Sequence, residues 1–215
     1  MECCPGMSDP HAPDPATRDT ADPAYTQRLR DLEGAGWKQR LDVQRPYRWN
    51  LRRLHPGRVL DVGCGIGRNL THLDGNGVGV DHNAESVATA RSRGLTAYTA
   101  EEFAASADAV PGAFDSLLVA HVLEHLDVAT QRDLLATYLP YVREGGRVIL
   151  ITPQEAGFRT DATHVRFVDA VGCDLALREH GWRAVSRQSF PFPRVVGRVF
   201  PYNEFVVVGE RDPDA

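Results

Sequence analysis

The sequence predicts an α/β domain built on a doubly wound, mostly parallel sheet. Two observations support this prediction. Short, almost wholly apolar segments alternate with helical segments, and the first apolar segment runs into a glycine-rich turn. Apolar strands separated by helices are typical of a parallel sheet that is covered on both faces. In such sheets, ligands bind outside the carboxyl ends of the strands.

Three regions are predicted along the chain. Residues 1–22 are rich in Pro, Asp, Ala and Thr, and they predict a disordered tail because they contain too little apolar surface to offset ordering. Residues 23–54 predict an N-terminal cap of short helices that glycine and proline interrupt. Residues 55–211 predict the main domain.

Five strands are predicted in the first part of the main domain: Arg58–Val62, a strand that includes Gly79 and Val80, Leu95–Thr99, Phe114–Ala120 and Arg147–Ile151. Helices are predicted between them over Asn69–Leu73, Ala84–Arg93 and Leu123–Val142. After a further helix over Asp169–Gly181, strands at Arg183–Ser189 and Glu204–Val208 follow each other without a helix between them. This order predicts a Rossmann-like, seven-stranded sheet that an antiparallel C-terminal hairpin completes.

Composition and charge restrict the function. The chain has 215 residues, 42% of them hydrophobic and 25% charged, which suits one domain with an ordinary core. A net charge of −5 argues against a nucleic-acid binder, because such proteins need clustered cations. No apolar run approaches the about 20 residues that span a bilayer, and the N-terminus lacks an apolar signal segment. Four cysteines without paired spacing indicate a reduced, cytoplasmic protein.

A glycine-rich turn, VLDVGCGIGRN, spans residues 59–69. Gly63, Gly65 and Gly67 let the backbone turn sharply and approach a ligand without a Cβ in the way. A dinucleotide is one alternative ligand, but Arg68 occupies the place of the last glycine in the dinucleotide pattern and would hinder close approach of the helix. A purely structural turn is the other alternative.

An acid also ends the second strand, in the segment VGVDH. At this sheet position the carboxylate of Asp81 can accept hydrogen bonds from both hydroxyls of a ribose, and it repels a 2′-phosphate. The neighbouring His82 can lie against an adenine ring. The alternative for Asp81 is to cap the helix that begins near Ala84.

With LDVGCGIGRN, VGVDHN, FDSLLVAHVLEHL and GGRVILITP in this order and spacing, the chain from about residue 51 to residue 208 resembles the class I S-adenosylmethionine-dependent methyltransferases. The resemblance implies a transferase with S-adenosylmethionine as its cofactor. It assigns Gly63 and Gly65 to the methionine part, Asp81 to the ribose and Ala120 to the surroundings of the sulfonium. The full set of expected cofactor-binding residues is Gly63, Cys64, Gly65, Arg68, Asp81, His82, Glu101 and Ala120.

The segment HVLEH at residues 121–125 matches a zinc-protease pattern, but that pattern belongs on a helix and here it begins at the end of a buried strand. The chain is similar here to two methyltransferase branches, the ubiquinone-pathway O-methyltransferases and the small-RNA 3′-end 2′-O-methyltransferases, whose E-x-x-E-H segment binds a divalent metal. The similarity implies four ligands, His121, Glu124, His125 and His164, with His121 in place of the usual Glu. Alternatively, the segment only packs near the cofactor.

Methyl transfer is an in-line displacement for which alignment supplies most of the rate, and a base helps only where the acceptor starts protonated. Imidazole suits that task near neutral pH, so His164 is the first candidate for a catalytic base and His121 the second. We expect transfer to a small-molecule acceptor at oxygen, by a monomer or homodimer without membrane or nucleic-acid partners. Two alternatives remain: a metal-dependent 2′-O-methyltransferase that acts on a vicinal diol such as an RNA 3′ end, and a non-catalytic nucleotide-binding module.

Overall fold

The computed structural model describes residues 44–213. The predicted tail, residues 1–22, and most of the predicted helical cap, residues 23–54, lie outside the described residues. Within residues 44–213, no helix combines the length and the apolar character needed to cross a membrane.

Seven strands form the sheet: β1 (Val59–Val62), β2 (Gly77–Val80), β3 (Ala97–Tyr98), β4 (Phe114–Ala120), β5 (Val142–Pro153), β6 (Trp182–Phe190) and β7 (Glu204–Arg211). The α-helices of the described residues are α1 (Arg45–Arg53), α2 (Arg68–His72), α3 (Ala84–Ser92), α4 (Ala100–Ala104), α5 (Val128–Tyr138), α6 (Glu155–Phe158) and α7 (Ala170–Arg178). Short 3₁₀ helices cover Leu123–His125, Leu139–Tyr141 and Arg194–Arg198.

The strands lie in the order β3-β2-β1-β4-β5-β7-β6. The first five are parallel, and β7 runs antiparallel to both β5 and β6. The predicted Rossmann-like sheet with an antiparallel C-terminal hairpin is therefore confirmed. Because β7 is reversed, its first residue, Glu204, pairs with Pro153 at the carboxyl end of β5. The start of β7 thus reaches the edge of the sheet where the parallel strands end.

Apolar side chains cover both faces of the sheet. Leu117 and Leu118 follow each other in β4, point to opposite faces and are fully buried. Leu117 belongs to the core under α5 and α7, together with Leu135 and Leu177. Leu118 belongs to the core under α1. Burying a side chain of this size stabilises the fold by about 1.5–3 kcal/mol, so these two layers fix the strand ends that carry the site.

The predicted continuous helix over Leu123–Val142 is wrong at both ends. Its first residues form a 3₁₀ helix, and α5 begins only after Asp127, whose Oδ1 accepts a hydrogen bond from the Thr130 N–H at 2.8 Å. This N-cap starts a new helix. The fifth strand begins at Val142, before the predicted Arg147, because the chain pairs with Phe114 through an irregular register that the sequence pattern does not reveal.

Candidate cofactor and acceptor site

The glycine turn leaves β1 in a conformation that requires glycine. The φ angles of Gly63, Gly65 and Gly67 are +76°, +52° and +81°. These values lie in the left-handed region, which side chains with a Cβ rarely adopt. A Cβ on Gly63 would also come within 2.2 Å of Val122 Cγ2. The turn therefore brings bare backbone to the carboxyl edge of the sheet.

Asp81 connects this turn to the end of β2. Its Oδ2 accepts a hydrogen bond from the Gly65 N–H at 2.7 Å, and its Oδ1 accepts one from the Asn83 N–H at 2.9 Å. A carboxylate has about four lone-pair positions, so Asp81 retains acceptor capacity for two hydroxyls. The helix cap that was the alternative role for Asp81 belongs to Asn83, whose side chain accepts from Glu85 N and Ser86 N.

Asp61 is a residue of the site that the sequence reading missed. It lies fully buried in β1, and its Oδ2 has no hydrogen-bond partner among the described residues. Burial raises its pKa to about 7. A weak hydrogen bond from Asn69 Nδ2, which lies 3.5 Å from Oδ1, lowers the pKa but does not offset the burial. The sequence sign that could have revealed this residue is an acidic side chain inside an otherwise apolar strand. Next to the glycine turn, this carboxyl group can receive a donor or a positive charge from a ligand.

The other predicted cofactor residues lie at the same edge in different surroundings. Arg68 is exposed at the first position of α2, and Ala120 is buried at the last position of β4. His82 is exposed, with its Nδ1 3.5 Å from Asp81 Oδ1. Glu101 is exposed in the first turn of α4, a helix that Thr99 and Glu102 cap.

Cys64 fills the inside of the turn and has no sign of reactivity. Its Sγ would be 2.6 Å from a Cβ placed on Gly79, so a small side chain is needed at both positions. Burial raises the pKa of its thiol, which keeps the sulfur protonated and a poor nucleophile.

His121 follows β4 and lies between two carboxylates. Its Nε2 is 2.9 Å from Glu204 Oε1, and its Nδ1 is 3.3 Å from Glu124 Oε1. Burial lowers the pKa of His121, but the two carboxylates outweigh this effect and raise it to about 10. Sequence reasoning missed Glu204, which gave no sign of function beyond starting a predicted strand. With both ring nitrogens facing acceptors, His121 is better arranged to donate than to act as a base.

His125 and His164 face each other with ring centroids 4.7 Å apart. His125 Nδ1 lies 3.2 Å from the Thr163 carbonyl oxygen, and His164 Nδ1 lies 2.8 Å from the Phe158 carbonyl oxygen. A carbonyl oxygen only accepts, so each Nδ1 donates, and in the neutral form of each ring the lone pair lies on Nε2. Burial lowers the pKa of His125, which favours its neutral form.

Glu124 completes this cluster. Its side chain is fully buried, and neither carboxylate oxygen has a hydrogen bond of good geometry within the described part of the chain. Ligand atoms of Glu124, His125 and His164 lie within 4.8 Å of one another, whereas His121 falls outside this group. Two imidazole nitrogens and a carboxylate oxygen form a donor set suited to a transition-metal ion. His121 Nδ1 approaches Oε1 at 3.3 Å, but Oε2 accepts no hydrogen bond from the described residues, which is costly for a buried carboxylate unless a further cation or donor meets it.

Known structures share this architecture. A S-adenosylmethionine-dependent methyltransferase from Archaeoglobus fulgidus is 18% identical and matches with a TM-score of 0.62, over 81% of this chain and 98% of its own. Magnesium protoporphyrin IX methyltransferase from Synechocystis, with bound S-adenosylhomocysteine, is 16% identical with a TM-score of 0.65, over 92% and 99%. A S-adenosylmethionine-dependent methyltransferase from Mesorhizobium loti is 18% identical with a TM-score of 0.55, over 75% and 96%.

At these identities the structural matches establish the fold. No curated protein sequence matches the chain significantly. A sequence model of a methyltransferase-domain family does match, over residues 38–187, which is more than half of the chain. The glycine turn, the aspartate that closes β2 and the seven-stranded sheet agree with that match. The chain therefore belongs to the methyltransferase-domain family and is a S-adenosylmethionine-dependent methyltransferase of class I.

Proposed function

We propose that this enzyme transfers the methyl group of S-adenosylmethionine to an oxygen atom of a small-molecule acceptor. The observation that carries the proposal is the cluster of Glu124, His125 and His164 directly beyond β4. A neutral imidazole or a bound cation at this place promotes loss of a proton from a hydroxyl group. A strong nucleophile such as a free amine needs neither, so the cluster favours oxygen as the acceptor atom.

The residues at the carboxyl edge of β1 and β2 fit the cofactor. We assign Gly63, Cys64, Gly65 and Arg68 to its methionine part, Asp81 to its ribose, His82 and Glu101 to its adenine, and Ala120 to the surroundings of the sulfonium. The left-handed glycines bring bare backbone to the end of β1, and Asp81 keeps unused acceptor positions. A cationic ligand beside Asp61 would favour the ionised form of this carboxyl group, whose Oδ2 accepts no hydrogen bond from the described residues.

The chain's own contribution is binding, alignment and handling of one proton. When bound, S-adenosylmethionine supplies a methyl group on a sulfonium centre, which is open to in-line displacement. Holding donor and acceptor in line removes much of the entropic barrier. His164 is our candidate base, because its Nδ1 bond to the Phe158 carbonyl directs Nε2 into the cluster, where the neutral ring can accept a proton. His121, the second candidate, has both ring nitrogens facing carboxylates, so we favour it as a donor.

Glu124 favours a second candidate function, a cation-dependent transfer to one of two adjacent hydroxyls, because its carboxylate is fully buried and accepts no hydrogen bond of good geometry from the described residues. Glu124, His125 and His164 would hold the ion. A bound divalent cation supplies Lewis acidity that lowers the pKa of a hydroxyl. This donor set favours Mn²⁺, Fe²⁺, Co²⁺ or Zn²⁺ over Mg²⁺. The ribose at an RNA 3′ end carries such a diol, but the net charge of −5 argues against that acceptor.

Calorimetric titration tests the cofactor assignment. We expect S-adenosylhomocysteine to bind the purified chain at one site, and absence of heat at millimolar ligand would contradict the assignment. A radiolabelled methyl-transfer assay on a panel of phenols, catechols, amines and thiols then tests the acceptor atom. Label transfer to amines alone would overturn the choice of oxygen.

Chelation separates the two candidate functions. We expect EDTA to abolish activity if the cation-dependent reaction is correct and to leave it intact if His164 acts alone as the base. A Glu124→Gln variant then serves as the matched change, because it keeps the shape of the side chain and removes its charge. Metal-dependent activity that survives in this variant would exclude Glu124 as a ligand.

We further infer that the enzyme acts in the cytoplasm as a monomer or homodimer, without nucleic-acid or membrane partners. The acidic net charge and the free thiols of Cys64 and Cys173 support this inference. Light scattering coupled to gel filtration tests the oligomeric state, and a mass above that of a dimer would contradict it.

A further inference from the structure

The two carboxylates around His121 come from distant parts of the chain. Glu204 Oε1 lies 2.9 Å from His121 Nε2, and Glu124 Oε1 lies 3.3 Å from His121 Nδ1. Carboxylate oxygens of ionised side chains only accept hydrogen bonds, so Nε2 donates to Glu204. When Glu204 holds Nε2 of the His121 ring, Nδ1 of the same ring faces Glu124.

Glu204 is itself held in place by a buried amide network. Its backbone carbonyl oxygen accepts a hydrogen bond from Gln154 Nε2 at 2.9 Å, and Asn203 Nδ2 donates to Gln154 Oε1 at 3.1 Å. The side chains of Gln154 and Asn203 are fully buried. A Cβ on Gly197 would come within 1.7 Å of Gln154 Oε1, so the network is closely packed. It ties the start of β7 to the end of β5.

The backbone of His121 is also constrained. Its φ angle is +58°, a left-handed value that a residue with a Cβ adopts at a cost of about 1–3 kcal/mol. The His121 N–H donates to the Ile151 carbonyl oxygen at 2.9 Å, and the bond to Glu204 fixes the ring. Such a conformation persists only where several contacts hold it, and it concentrates at functional sites.

We propose that Glu204 is a positioning residue, which holds the His121 ring so that its Nδ1 keeps the Glu124 carboxylate turned toward His125 and His164. This inference rests on the proposed cation site. Glu204 acts only through His121, because the ligand group comprises Glu124, His125 and His164. Groups that orient a metal ligand typically change the affinity of a metal site by about 10–100-fold, and Glu204 orients the ligand Glu124 through His121.

The test measures binding of Co²⁺ alone and of S-adenosylhomocysteine to the full chain by calorimetry, with Co²⁺ absorption as a second readout. The variants are Glu204→Ala, Glu204→Gln and a control, Glu210→Ala. Glu210 lies on the same strand, where it bonds Arg147 at an exposed position. We expect Glu204→Ala to weaken Co²⁺ binding about 10–100-fold and to leave S-adenosylhomocysteine binding within about twofold. Glu204→Gln keeps an acceptor oxygen and should bind Co²⁺ within about threefold of the wild type.

Three results would overturn the inference. Equal Co²⁺ affinity of Glu204→Ala and the wild type would exclude a positioning role. Parallel loss of Co²⁺ and S-adenosylhomocysteine binding in both Glu204 variants would show that the residue only supports the fold. A wild-type chain that binds S-adenosylhomocysteine but no Co²⁺ would remove the cation site, and with it this role, while leaving the cofactor assignment intact.

Discussion

The buried carboxyl group of Asp61 makes the stability of the protein depend on pH in a direction opposite to that of most acidic residues. Its pKa rises from 3.8 to about 7 on folding because the group is removed from water. The folded state therefore holds the proton more tightly than the unfolded state. The contribution to stability is fully present below pH 3.8 and is lost as the pH rises toward 7. A gap of about three units corresponds to about 4 kcal/mol.

The side chain of an Asp61→Asn variant cannot ionise, so the variant does not lose stability from this group as the pH rises. Between pH 5 and pH 8, its free energy of unfolding should rise relative to that of the wild type by about 2–3 kcal/mol. Urea unfolding of both proteins at several pH values, followed by circular dichroism, measures the difference. An Asp133→Asn variant, altered at an exposed position of α5, controls for the substitution itself. A difference that stays constant from pH 5 to pH 8 would refute the argument.

Three further substitutions test local features. Asp81→Ala should weaken S-adenosylhomocysteine binding at least about tenfold in calorimetry, because hydrogen bonds to a charged group contribute about 1.5–3 kcal/mol; unchanged affinity would exclude Asp81 from the cofactor site. Gly63→Ala places a Cβ 2.2 Å from Val122 Cγ2, so we expect a loss of about 1–3 kcal/mol in urea unfolding, and an unaltered midpoint would contradict the close approach. Thr99→Ala removes the N-cap of α4 and should lower stability by about 1 kcal/mol without changing S-adenosylhomocysteine affinity, whereas weaker binding would assign Thr99 to the ligand.

The sequence predicted those features that depend on neighbours along the chain. The glycine turn is visible because three glycines follow an apolar strand, and Asp81 is visible because it ends the next one. The role of Asn83 as the helix cap was not separable from Asp81, since both residues precede the same helix and only the hydrogen bonds distinguish them. Family resemblance added the cluster at residues 121–125, and the structure gathers three of the four proposed ligands.

Contacts between residues that lie far apart in the sequence could not be predicted from the sequence. Glu204 reaches His121 across 83 positions of the chain, and only because β7 runs antiparallel to β5. No sequence pattern indicates the register in which β7 pairs with β5, and none indicates the left-handed backbone of His121. That Asp61 Oδ2 accepts no hydrogen bond from the described residues likewise depends on which groups surround it, not on its own position in β1.

The antiparallel course of β7 affects when the site can form during synthesis. The glycine turn, Asp81 and the Glu124 segment leave the ribosome well before residue 204, yet the residue that braces His121 arrives only with the last strand. The surroundings of His121 in a nascent chain are therefore complete only after the C-terminal hairpin has docked on β5. Chains that terminate before β7 would leave one edge of β5 without its hydrogen-bonded neighbour and His121 without its bond to Glu204.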